Sequence, residues 1–115
     1  MEEETARRMC SLIAGVICSD GKMSAEEQSF LKRVMAESGL ETDTALMPVY
    51  GEDVADELAQ LPEAIRGETL ELVILAAAAD GQIHPHERAI VDTIAQQLGV
   101  SEEALVEKFK KVLPG

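Results

Sequence analysis

The sequence predicts an all-α fold: a compact bundle of about seven helices with an internal pseudo-twofold duplication, residues 1–115 forming one domain whose repeat halves run over about 4–50 and 62–113. Three observations carry this. The chain has almost no aromatic residues, only Phe30, Phe109 and Tyr50, so its core is built from Leu, Ile, Val, Ala and Met, which favour or tolerate helix packing. Apolar residues recur at three- and four-residue steps rather than alternating. Two octets, Asp20-Gly21-Lys22-Met23-Ser24-Ala25-Glu26-Glu27 and Asp80-Gly81-Gln82-Ile83-His84-Pro85-His86-Glu87, share one skeleton at an offset of sixty residues. A helical pair that cannot bury its apolar face alone is stabilised by packing on a second copy.

Along the chain, Met9, Leu12, Ile13, Val16 and Ile17 make one face of a helix from about Glu4 to Ser19, which Asp20-Gly21 stops. Arg7-Arg8 followed by the apolar run Met9 to Cys18 has the look of a signal peptide. The same run recurs as Leu70 to Ala78, deep inside the chain, so it reads as the first core helix. Neither run reaches the roughly 20 apolar residues of a membrane span. Ser24 with Glu27 has the form of a capping box, and the helix it opens carries Phe30, Leu31, Val34 and Met35 inward before Gly39 ends it.

A short helix is expected from Thr42 to about Val49, limited by Pro48, and another from Glu52 to Gln60 with Val54 and Leu58 buried. Pro62 suits the first turn of a helix from Glu63 to Ala79 with Ile65, Leu72, Val73 and Ala76 inward, unless Gly67 breaks it. The second octet then places Pro85 in a first turn, followed by the stripe Ile90, Val91, Ile94 and Leu98 and a stop at Gly99. Ser101 caps the last helix, which carries Leu105, Phe109, Val112 and Leu113 inward and Lys108, Lys110 and Lys111 near the end where positive charge complements the helix dipole.

Charge and cysteine usage bound the function. With 22 acidic against 10 basic residues the formal charge is −12, a field that repels phosphate backbones and excludes nucleic acid as a partner. No basic residue falls between Val34 and Ile65, whereas Glu37, Glu41, Asp43, Glu52, Asp53, Asp56, Glu57 and Glu63 do. That stretch is a solvated exterior, or it suits a cation or a basic or amphipathic protein partner. Cys10 and Cys18, eight residues apart on one helix, are separated by about 12 Å, beyond disulfide reach. They read as core thiols in a reducing, cytoplasmic compartment.

Laid on an EF-hand loop, each octet fits only its second half: Asp20 and Asp80 at the fifth position, the glycines at the sixth, Met23 and Ile83 at the eighth, Glu27 and Glu87 at the twelfth. The first and third positions would be Val16 and Cys18, or Ala76 and Ala78, which offer no side-chain oxygen for Ca²⁺, so an ordinary EF-hand is excluded. Three readings of the recurring carboxylates stay open. The glutamates cap the following helices; or symmetry pools Asp20, Glu27, Asp80 and Glu87 around one or two hydrated divalent cations, Ca²⁺, Mg²⁺, Mn²⁺ or Zn²⁺; or they form a protein-binding surface that needs no metal. His84 reads as the N-cap before Pro85 and His86 as exposed; beside Asp80 and Glu87 the two imidazoles could alternatively make a one-sided transition-metal environment. No nucleophile motif, phosphate-cradling loop or cofactor fingerprint is present, which argues against an enzyme.

The octets, their flanking apolar helices, and the helix ends at Gly39-Leu40 and Leu98-Gly99-Val100 resemble the tellurite-resistance TerB-like domains, also found fused in DjlA-type co-chaperones. The resemblance covers nearly the whole chain and is most specific at Asp80-Gly81-Gln82-Ile83 with Glu87, and at Asp20, Gly21, Met23 and Glu27. It implies a small pseudo-symmetric helical bundle that acts in bacterial chemical stress at or near the cytoplasmic membrane and binds metal through Asp20, Glu27, Asp80 and Glu87.

Overall fold

One helix forms the axis on which the others assemble. The computed structural model describes residues 2–19, 21, 23–49 and 51–113. Among them are six helices and no strand: α1 (Glu3–Ile17), α2 (Ala25–Glu37), α3 (Asp53–Ala59), α4 (Glu63–Ala77), α5 (Pro85–Gln97) and α6 (Glu102–Val112). Every residue of α1 from Met9 to Ile17 is buried, and the helix packs against α2, α3, α4 and α5. A helix enclosed on all sides has no solvated face, which is why this segment is apolar enough to imitate a signal peptide.

The caps expected from the sequence form as local chemistry dictates. Ser24 Oγ accepts the Glu27 N–H at 3.0 Å while Glu27 Oε1 accepts the Ser24 N–H at 2.9 Å, a reciprocal box that fixes the start of α2. Ser101 Oγ accepts the Ala104 N–H at 3.2 Å and starts α6. Gly21 and Gly81 turn the chain between the paired helices at φ 80° and 87°, a left-handed conformation that favours glycine. At the sixty-residue offset α1 and α4 are each 15 residues long, and α2 and α5 are each 13.

The expected helix from Thr42 to Val49 does not form. After a turn at 42–43, residues 44–49 run without regular structure, so the count is six helices among the described residues rather than seven. The segment is instead drawn onto α1. Val49 N–H donates to Ser11 O at 3.3 Å, and the Val49 backbone lies so close to Gly15 that a Cβ there would overlap its carbonyl. Seven residues ending at Pro48 are too few for an independent helix, and a backbone seated on a glycine gains contact that a helix would forfeit. Gly67 does not break α4, which passes through it uninterrupted.

Long-range ties bind the periphery to this frame. Arg8 Nη1 meets Glu57 Oε2 at 3.0 Å, joining α1 to α3. Arg88 stacks over Phe109 at 4.7 Å and reaches Glu102 Oε1 at 2.6 Å, joining α5 to α6, while Lys108 pairs with Glu71 of α4. Cys10 is buried, Cys18 is half-buried, and neither forms a disulfide; burial pushes the Cys10 thiol up to about 11. No helix among the described residues is long and apolar enough to cross a membrane.

Candidate functional site

Two glutamates that begin helices are also core residues. Glu27 is 3% exposed and Glu87 1% exposed, the only acidic side chains buried to that degree among the described residues. Each sits on the apolar stripe of its helix, Glu27 in register with Phe30, Leu31 and Val34, and Glu87 with Val91 and Ile94. One oxygen of each serves its own helix: Glu27 Oε1 accepts the Ser24 N–H and Glu87 Oε1 accepts the His84 N–H at 3.1 Å. The capping expectation therefore holds, and it accounts for half of each carboxylate.

The two glutamates also act on each other. Glu87 is pushed up to about 8, first by burial and then by a side-chain hydrogen bond to Glu27; the His84 N–H opposes this, while the charges of Glu27 and Asp80 add to it. Two carboxylates facing each other away from water cannot both be ionised without an intervening proton or cation. Glu27 Oε2 is buried and has no hydrogen-bond partner among the described residues. The second buried side-chain atom without a partner, Ser19 Oγ, lies in the turn that leads into the first octet.

Asp80 is engaged differently. Its Oδ1 accepts the Gln82 N–H at 3.1 Å, closing the turn, and its Oδ2 lies 3.2 Å from His84 Nε2. His84 thus occupies the N-cap position, as its spacing before Pro85 indicates, but its ring turns back to Asp80. His86 is exposed. Of the four carboxylates singled out by the sequence, Glu27 and Glu87 are brought together and Asp80 stands where its charge acts on Glu87. Asp20 lies outside the described residues. Among the described residues, no three His, Cys, Asp or Glu side chains are grouped as a metal-ligand set.

The residues here that could contribute to a cation are the two buried carboxylates, which offer negative charge and hard oxygen ligands. Spacing alone gave no sign that Glu27 and Glu87 meet. The signal that could have been used was their position on the apolar stripes, which makes them inward-facing before any fold is known.

The helical frame and the paired buried glutamates define an α-bundle module with an acidic centre. Comparison with known families makes this specific: the model described as tellurite resistance protein TerB matches residues 50–108, just over half of the chain, and the protein belongs to that family. The matched span contains Asp80 and Glu87 and leaves Glu27 outside. Co-chaperone protein DjlA of Escherichia coli (strain K12) is 46% identical over 46 residues, 40% of this chain and 17% of the relative. DjlA of Aliivibrio fischeri (strain ATCC 700601 / ES114) is 49% identical over 41 residues, 36% of this chain and 14% of that protein. The alignments thus span less than a fifth of those relatives' length. No solved structure matches.

Proposed function

We propose that the chain is a non-catalytic TerB-like module that holds a divalent cation, Ca²⁺, Mg²⁺, Mn²⁺ or Zn²⁺, at Glu27 and Glu87 with help from Asp20 and Asp80. The observation that carries this reading is the buried Glu27–Glu87 pair with its unpartnered Oε2. A carboxylate pair kept in the core is destabilising unless something positive neutralises it. The matching helix lengths and glycine turns of α1–α2 and α4–α5 support a duplicated unit whose pseudo-twofold brings one glutamate from each half to the same place. The family's tellurite-resistance description and the co-chaperone relatives support a role in bacterial stress, in the cytoplasm or at the inner face of the membrane.

Titration calorimetry of the chain with each of the four ions tests this. The expected result is binding with a rise in melting temperature, lost in Glu27→Gln. No heat at millimolar ion and an unchanged melting temperature would overturn it.

A second reading is a metal-free adaptor, in which Glu87 keeps its proton and an amphipathic or basic partner docks elsewhere. It is favoured by a groove of about 360 Å³ between α2, α4 and α6, where Leu75, 40% exposed, sits with Phe30, Ala78 and Val112. The acids Asp53 and Asp56 are also exposed. Here partner capture survives chelator and is lost in Leu75→Glu or on charge reversal at Asp53 and Asp56.

A further inference from the structure

Two opposite charges stand on one stripe of α2 and neither is neutralised. Glu26, Ser29, Phe30 and Arg33 fall at the three- and four-residue steps that line a single face of a helix. Glu26, Ser29 and Arg33 are exposed. Arg7, Arg8, Arg88 and Lys108 each reach a carboxylate, whereas Arg33 lies over the Phe30 ring at 5.4 Å and pairs with no acid among the described residues. Glu26 likewise pairs with no base among them. The two ends of the stripe are about 10 Å apart along the axis. This stripe is one wall of the groove of about 360 Å³, and Leu75 of α4 and half-buried Val112 of α6 give the groove its apolar side. Glu26 is the one acid and Arg33 the one base in that lining, and the adjacent end of α6 carries exposed Lys110 and Lys111. The face is therefore locally balanced in a chain of charge −12, and repulsion from more distant charges is screened over about 8 Å at physiological salt.

We infer that this face docks a second molecule of the same chain, with α2 lying antiparallel on α2 about a twofold axis. A contact of this kind uses one patch twice, so the patch must complement itself. The stripe does so in one orientation. An axis through its midpoint, between Ser29 and Phe30, sets Glu26 of each molecule against Arg33 of the other. A parallel pairing sets like charge on like charge, so electrostatics selects the antiparallel one. Ser29 is small and central, which lets the helices approach while the exposed part of Leu75 in both molecules leaves water. The inference does not depend on the cation reading, and it gives the groove an occupant other than the partner of the adaptor reading.

The test is sedimentation equilibrium of the full chain at about 0.15 M salt, with chelator present, for wild type, Glu26→Arg, Arg33→Glu and an equimolar mixture of the two variants. The expected results are a concentration-dependent dimer in wild type and self-association weakened at least about tenfold in each variant alone, because the twofold repeats every like-charge contact. The mixture recovers the dimer, since a stripe with two arginines then meets a stripe with two glutamates. Recovery on mixing separates a lost interface from a damaged fold, which mixing does not repair. Wild type that stays monomeric up to about 1 mM overturns the inference, and capture of an amphipathic peptide at Leu75 by that monomer leaves the adaptor reading in its place. A dimer that both variants keep, or one that the mixture fails to restore, overturns the α2 pairing.

Discussion

Gly15 of α1 and Leu75 of α4 occupy the same register sixty residues apart, and their surroundings are opposite. At Gly15 the chain crosses so closely that the Val49 backbone fills the space of a side chain, whereas Leu75 is 40% exposed in an open groove. Helices of equal length at a sixty-residue offset need not have like surroundings. α1 is covered at Gly15 by the Val49 backbone, whereas α4 is left open at Leu75 by the described residues. In the second octet Asp80 closes the turn through Gln82 N–H and His84.

Substitution at this register should give the widest separation between the copies. Gly15→Leu, which installs the residue of the other copy, collides with backbone that cannot step aside, and a loss of about 3 kcal/mol is expected, a fall of about 10 °C in melting temperature. Leu75→Ala removes a half-exposed side chain and should shift the melting temperature by no more than a few degrees. Equal effects at the two positions would mean that 44–49 does not cover α1.

The glutamate pair gives the next largest effect. With its pKa raised to about 8 against the ordinary 4.5, Glu87 keeps a proton in the folded chain after the unfolded chain has lost it. The ion-free protein is therefore most stabilised below about pH 4.5 by this group, loses that contribution as pH rises, and has lost it above about 8, a change on the order of a few kcal/mol. Denaturant melts between pH 5 and 8.5 should show the decline in wild type and a flatter profile in Glu87→Gln. A wild-type profile as flat as the variant's would show that Glu87 titrates like an exposed carboxylate.

The caps give the smallest contrast. Ser24→Ala removes a side chain that bonds the α2 backbone and should destabilise by about 1 kcal/mol. His84→Ala removes a ring that pairs with a partly exposed aspartate, and the expected change is below about 0.5 kcal/mol. Urea midpoints of the two variants compare them directly, and a larger loss at His84 would invert the assignment of roles.

The legible parts were those decided within a few residues. Ser24, Ser101, Pro85 and the positive-φ glycines bound helices because capping and turn chemistry are local. The stripes Met9 to Ile17 and Phe30 to Met35 fell inward as their spacing requires. The segment from Thr42 to Val49 misled because its helical pattern is opposed by a tertiary contact with Gly15, which no local window contains. The acidic centre was half legible. Composition and repetition singled out Glu27 and Glu87, while their meeting, and the pairing of Asp80 with His84 in one copy, depend on how the helices cross.

The enclosure of α1 also sets how the first octet moves. Amides in the middle turns of a helix with no solvated face exchange with deuterium only when the whole bundle opens. The turn after Ile17 is therefore anchored to the slowest-exchanging part of the molecule. A disturbance confined to the residues just after Ile17 is therefore a local event that leaves the scaffold standing.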